Sequence, residues 1–179
     1  MTWAPRSASA SKCTMSEIVL PNDTNSLGNL FGGRLLQWMD ICAAISAQRH
    51  TGRVCVTAAV DTVEFHSPIR QGEIVVLESQ VNRAFNTSME VEINVWAEHA
   101  ATLTRRKCNQ AYYTFVSLDD HGKPQPVPGI APEGDDEHAR YEAAAQRREF
   151  RLLLAGRIKP GEATRTAQLL REIIGHESP

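Results

Sequence analysis

Three features of the stretch PNDTNSLGNLFGGRLLQWMD, Pro21 to Asp40, are of types that could do chemistry together. Asp40 is the acid of the set. Gln37 is the only polar residue in the turn before it, and Ile41, Cys42, Ala43, Ala44 and Ile45 follow. A lone helical Asp usually faces water. In poorly solvated surroundings it must instead find donors or titrate high, and either state suits a general base or nucleophile. Gly32-Gly33 stands at a helix start, where paired glycines lose backbone entropy and so mark close approach or unusual dihedrals. The N–H groups of such a start can hold an oxyanion or polarise a carbonyl. Asn22, Asp23, Thr24 and Asn25 form turns and caps readily, so a structural reading stands beside a functional one.

Other chemistries have weaker footing. His66 ends an apolar strand and His50 a helix, where a cation is favoured, and both read as structural. No GxSxG elbow, HExxH pair or P-loop occurs. The cluster TRRKC, Thr104 to Cys108, opens a strand and is either a solvated end or a phosphate contact. Cys13, Cys42, Cys55 and Cys108 show no CxxC or Cys/His spacing, which argues against a disulfide scaffold and a metal site. A net charge of -2 gives no global field for nucleic acid or anionic membrane. No apolar run reaches the roughly 18–20 residues that span a bilayer. MTWAPRSASASK lacks a continuous apolar core, so residues 1–13 read as a flexible tail of a cytoplasmic protein rather than a secretory signal.

The elements that must position these groups follow from periodicity. At 42% hydrophobic and 22% charged residues, the 179-residue chain has the composition of an ordinary globular domain. Thr14 to Leu20 reads as a short strand. Helical spacing then runs from about Gly33 to His50, apolar over more than half its circumference, so the helix is expected to be wrapped by protein on most sides. Period two takes over in Val54 to Phe65, Glu73 to Phe85, Ser88 to Ala97 and Ala111 to Leu118, with short breaks suited to antiparallel neighbours. Within Val54 to Phe65 the apolar parity changes, as a bulge near Asp61-Thr62 or burial on both sides would produce. A Pro-, Gly- and acid-rich linker leads to two helices, Glu137 to Leu154 and Glu162 to Ile174. The second carries Leu169, Leu170, Ile173 and Ile174 on one stripe. One long helix followed by four strands gives an α+β domain, an antiparallel sheet covering a central helix.

LPNDTNSLGNLFGGRLLQWMD, TAAVDTVEFHSPIRQGE, NTSMEVEINVWAE and AYYTFVSLDDHGKPQPVP together resemble a hotdog-fold acyl-CoA thioesterase, with the match running from about Ser16 to Tyr141. The branch is that of bacterial single-domain acyl-CoA hydrolases and vertebrate cytosolic long-chain enzymes with two hotdog repeats. The resemblance implies a hotdog domain over 14–130 and a C-terminal helical extension over 131–179. It also implies a homodimer with one continuous sheet, assembled further as a trimer of dimers, a hexamer.

The resemblance implies hydrolysis of acyl-CoA to fatty acid and coenzyme A, with acyl-CoA as the small-molecule partner. Coenzyme A is part of the substrate, and no metal or other cofactor is expected. Asp40 would be general base or nucleophile, and Asn25 of a partner subunit would position water or carbonyl. Backbone amides at Gly32 and Gly33 would polarise the carbonyl oxygen. Arg83, Thr87, Ser88, Arg106 and Lys107 match the neighbourhoods that contact coenzyme A. Asn29 stands where some bacterial members have Asp. Two alternatives differ in class: a thioesterase for acyl carrier protein or another thioester, and a non-catalytic acyl-CoA-binding module.

Overall fold

Gly32–Thr51 forms a single 20-residue helix, α1, in the computed structural model, which describes residues 3–168. Gly52 stops it in the left-handed region at φ 69°, donating its amide to the Gln48 carbonyl at 2.7 Å. Leu35, Trp38, Met39, Cys42, Ala43, Ser46, Ala47 and His50 make its buried side. The opposite stripe remains open: Leu36 is 36% and Ile41 43% exposed, with Gln37 and Gln48 also uncovered. The expectation of a helix wrapped on most sides is thus corrected for the single chain. Its apolar residues exceed what one sheet can cover.

The elements before α1 are β1 (Arg6–Ser7) and β2 (Cys13–Ile18). After it come β3 (Cys55–Val60), β4 (Ile74–Ala84), β5 (Ser88–His99), β6 (Thr104–Ser117), β7 (Ile130–Ala131) and α2 (Gly134–Leu154). Five strands form an antiparallel sheet in the order β2-β4-β5-β6-β3. Register aligns Ser79, Ile93 and Ala111, and likewise Val81, Val91 and Tyr113, so alternate residues form one continuous apolar face. Those inner residues, with Val75, Leu77, Met89, Val95 and Phe115, are almost wholly buried. Ser79 is a polar member of this face; its hydroxyl meets Ser46 Oγ at 2.7 Å and donates to the Cys42 carbonyl at 2.9 Å. The helix-and-sheet architecture agrees with the expected α+β hotdog fold.

Three expectations are corrected. Residues 6–13 are not a loose tail. Arg6–Ser7 pairs in parallel with Ile130–Ala131, and buried Ser11 accepts the Val81 amide at 2.9 Å, beside the β4 register shift. A Ser/Ala segment has no periodicity to betray such polar packing. The strand expected over Val54 to Phe65 ends at Val60, and its irregularity falls between Thr57 and Ala59 rather than at Asp61-Thr62. Nor is it buried on both sides, since Val56 and Val60 are exposed on this edge strand.

Contacts divide the chain into two compact units, Met1–Glu133 and Gly134–Pro179. In the second, α2 begins three residues before the expected start at Glu137, and residues 164–168 are helical again. Glu149 accepts the Thr166 hydroxyl at 2.9 Å. The Leu169, Leu170, Ile173 and Ile174 stripe lies outside the described residues. Among the described residues, no helix is long and apolar enough to cross a membrane.

His50 closes α1 as a structural residue. Its Nε2 lies 2.8 Å from the Pro128 carbonyl, and Arg6 donates to the His50 carbonyl at 2.6 Å. Burial pushes the imidazole below its ordinary pKa of 6.5, opposed by the Pro128 bond and reinforced by the Arg6 charge. The folded state therefore holds His50 neutral where the unfolded chain would protonate it. That contribution is complete above pH 6.5 and is lost as pH falls below it, at no more than about 1.4 kcal/mol per pH unit. In urea unfolding, the stability difference between pH 7.5 and 5.5 should be smaller in His50→Gln than in wild type.

Candidate active site

The loop entering α1 is built around Asp23 and Asn25. Asp23 is buried; its carboxylate takes the Leu20 amide at 3.2 Å and the Arg34 guanidinium at 2.9 Å. Its carbonyl accepts the Phe31 amide at 2.8 Å, which closes the loop onto the helix start. Asn25 Oδ1 accepts two backbone amides, from Leu27 at 2.9 Å and Asn29 at 3.2 Å. The carbonyl oxygen of the side chain is therefore turned inward, and the amide nitrogen is left as an outward donor. Gly28, at φ 71°, makes the tight return possible.

Asn25 lines a hollow of about 360 Å³ with Gly32, Leu35, Phe65, Ser67 and Pro68. A Cβ on Gly32 would meet the Phe65 ring at 3.4 Å, an ordinary contact, and its φ is not positive, so neither close approach nor unusual dihedrals requires the glycine in the single chain. Gly33 faces a second hollow of about 520 Å³ with Asn22, Asp23, Arg34 and Gln37. A Cβ on Gly33 would fall 2.7 Å from the exposed Phe31 ring. The amides of both glycines precede the first bonds of the helix, which run from Arg34 and Leu35 to the Phe31 carbonyl.

Asp40 sits on the margin of the open stripe, about 12 Å along the axis from Gly32. It is half-buried, and its Oδ1 accepts the Thr57 hydroxyl at 2.6 Å. Burial, and then the Asp40 charge, push the Tyr113 phenol up to about 12. Thr57 shares the parity of buried Cys55 and pairs with buried Phe115, so strand alternation turns that side chain toward the helix just before the β3 irregularity. Thr57 escaped the sequence reading, because a Thr in a strand is ordinary; the opening of TAAVDTVEF was its only signal. The single chain brings Asn25 to Gly32 and Asp40 to Thr57, but the Asn25 hollow does not include Asp40.

The five residues matched to coenzyme A fall into two groups. Arg83, Thr87 and Ser88 occupy the β4–β5 hairpin, with the Arg83 guanidinium 6.0 Å from the Phe85 ring. Arg106 and Lys107 lie at the start of β6, opposite Ala97 and Trp96. Nine residues of β5 separate the groups, about 30 Å at strand rise. Lys107 donates to Gln110 at 3.1 Å and lies 6.0 Å from the Trp96 ring. Arg106 binds Glu73 through two nitrogens at 2.6 and 2.8 Å and donates to the Pro68 carbonyl at 2.7 Å. These bonds, against the cost of burial, hold the Glu73 carboxyl below the usual carboxylate range.

A long helix wrapped by a curled antiparallel sheet is the hotdog architecture. The model of the thioesterase superfamily matches residues 27–104. A Bacillus subtilis protein named uncharacterized acyl-CoA thioester hydrolase YkhA is 39% identical over 94% of this chain and 93% of its own length. The chain belongs to the acyl-CoA thioester hydrolases of the thioesterase superfamily.

Among solved structures, Staphylococcus aureus acyl-CoA hydrolase in complex with butyryl coenzyme A, coenzyme A and coenzyme A disulfide is 40% identical. The match covers 92% of this chain and 98% of that one, with a TM-score of 0.78. An apo-hexameric acyl-CoA thioesterase is 36% identical, covering 86% and 98%, with a TM-score of 0.83. The Staphylococcus aureus hydrolase has also been solved with an asparagine, an aspartate or a threonine changed to alanine; in its sequence these stand successively 15 and 17 residues apart.

Proposed function

We propose that this chain hydrolyses acyl-CoA to a free fatty acid and coenzyme A at sites shared between subunits. The observation that carries this reading is the 2.6 Å bond from Thr57 to Asp40 on the open stripe of α1. Asn25, Asp40 and Thr57 have the same spacing as the three residues changed in the Staphylococcus aureus enzyme. Thr57 holds one carboxylate oxygen and leaves the other to face water or the thioester carbonyl. Acting as base, Asp40 takes a proton from water, whose oxygen attacks the carbonyl carbon. The partner's loop presents the outward amide of Asn25, and the Gly32 and Gly33 amides at the start of that same subunit's α1 polarise the oxyanion. Collapse breaks the C–S bond, and the Asp40 proton goes to the departing thiolate.

Acting as nucleophile, Asp40 would attack the thioester carbonyl carbon and break the C–S bond, releasing the coenzyme A thiolate to take a proton from water and leaving an anhydride that water then opens. In single turnover in ¹⁸O-water, label in the Asp40 carboxyl identifies the nucleophilic route, whereas label in the fatty acid alone fits both direct base catalysis and attack of water on the acyl carbon of the anhydride.

The separation of the two residue pairs within one chain, and the exposed Leu36, Ile41, Val56 and Val60, support a homodimer. Further assembly as a trimer of dimers is consistent with the hexameric relative. A coenzyme A laid between the hairpin group of one subunit and Lys107 of another would reconcile their separation of about 30 Å, at the strand rise used above. Four buried free thiols suit a reducing compartment such as the cytoplasm.

The test is release of free thiol from acyl-CoA by the purified protein. Faster hydrolysis of the carrier-bound acyl chain would favour the acyl carrier protein reading, and binding without turnover across chain lengths the binding-module reading. Thr57→Val should lower kcat about 10–100-fold with KM little changed, since a hydrogen bond to a charged group is worth about 1.5–3 kcal/mol. Thr57→Ser should recover most of the loss in the same steady-state assay.

A further inference from the structure

Arg106 and Glu73 lie outside the reaction chemistry assigned above, yet their bonds lead to Asn25 without a gap. Glu73 is 6% exposed, a carboxylate that must be satisfied inside the protein. Arg106 meets it with the two-pronged geometry that a lysine cannot reproduce. Glu73 Oε2 also accepts the Arg70 amide at 2.7 Å, and Arg106 Nη2, already bonded to Glu73 Oε2, donates as well to the Pro68 carbonyl at 2.7 Å. The pair thus fixes both ends of the short segment from Pro68 to Arg70.

That segment is bonded in turn to the loop carrying Asn25. Leu30 donates to the Ile69 carbonyl at 2.7 Å, Gln71 donates to Gly28 at 3.1 Å, and Asn29 bridges Arg70 in antiparallel fashion. Asn29 then clasps Asn25 from both sides: its amide donates to Asn25 Oδ1 at 3.2 Å, and its carbonyl accepts the Asn25 amide at 2.8 Å. The same segment walls the Asn25 hollow through Ser67, Pro68 and Ile69.

We infer that the Glu73–Arg106 pair is a positioning device that sets the Asn25 side-chain amide, and that Arg106 is a strut of this loop rather than a ligand for a substrate phosphate. The inference rests on the role proposed for Asn25. Steady-state kinetics, coenzyme A binding by calorimetry and a double-mutant cycle test it. Glu73→Gln keeps the size and loses the charge, and should lower kcat about 10-fold, since a displacement of 1 Å can cost about 10²-fold. The dissociation constant for coenzyme A should stay within about twofold, because no phosphate contact has been removed. In an Asn25→Ala background the same substitution should change kcat by less than about twofold, its effect having run through Asn25.

Arg106→Lys retains the charge without the fork. It should repeat the pattern and guards against a Glu73 variant that fails to fold. A full further loss of kcat in the Asn25→Ala background would overturn the inference. So would weakened coenzyme A binding at normal kcat, the signature of a phosphate ligand, or a lowered unfolding temperature with normal kcat. Normal kcat in Asn25→Ala alone is a different failure: it removes the role of Asn25 and takes the strut's function with it.

Discussion

Asp40→Asn should lower kcat for acyl-CoA hydrolysis by about 10²–10⁴-fold, the range for loss of a general base. The substitution preserves shape and can still accept the Thr57 hydroxyl, so the folded structure should survive it. Coenzyme A binding should also survive, because the residues matched to the nucleotide lie at strand ends rather than beside α1. The expected signature is a fall in kcat and kcat/KM together, with unfolding temperature and coenzyme A affinity held. Turnover near wild type in Asp40→Asn, measured as thiol release, would remove Asp40 from the chemistry. If Thr57 acts only by orienting Asp40, Thr57→Val added to Asp40→Asn should have little further effect. Residues that act as a unit are not additive.

The same pair marks how far the sequence could be read. Asp40 stood out because an acid among Leu35, Trp38, Met39 and Ile41 breaks the apolar pattern of its helix. Thr57 did not, because β-branched polar residues are common in strands and nothing local tells that its hydroxyl meets a helix 17 residues earlier. Strand β5 was legible because Val91, Ile93 and Val95 alternate with Glu90, Glu92 and Asn94 in the sequence, although Glu90 and Glu92 are themselves buried in the fold.

β3 was overextended for the opposite reason. Apart from Cys55, its apolar residues and Phe65 are not buried in the chain that carries them: Phe65 is 54% exposed even though its ring sits against Gly32. Apolar positions that serve a pocket or a second subunit carry no periodicity of the single chain. The basic clusters were visible as charge, but their geometry was not. Antiparallel reversal sends Arg83 and Arg106 to opposite ends of the sheet, and the partner of Arg106 lies 33 residues earlier, at Glu73.

Mixing two inactive variants should restore activity, and this is the sharpest test of a shared site. Asn25→Ala and Asp40→Ala dimers each carry one defect in every site, so both should be nearly inactive. In a symmetric dimer, the two subunits contribute to both sites by the same operation. A mixed dimer then concentrates the two defects in one site and leaves the other with intact Asn25 and intact Asp40. Equal amounts, exchanged at random, give about half mixed dimers with one good site of two, so roughly a quarter of wild-type activity should return. If both residues instead served a site within one chain, every site in the mixture would keep a defect and no activity would return. Co-refolding at varied ratios distinguishes these outcomes, with a maximum at equal parts expected for the shared site. Assembly of dimers into hexamers leaves the fraction unchanged where the shared site lies within the dimer. The Asn25 hollow and the Asp40–Thr57 pair are separate in one subunit, and complementation is the physical consequence of bringing them together between two.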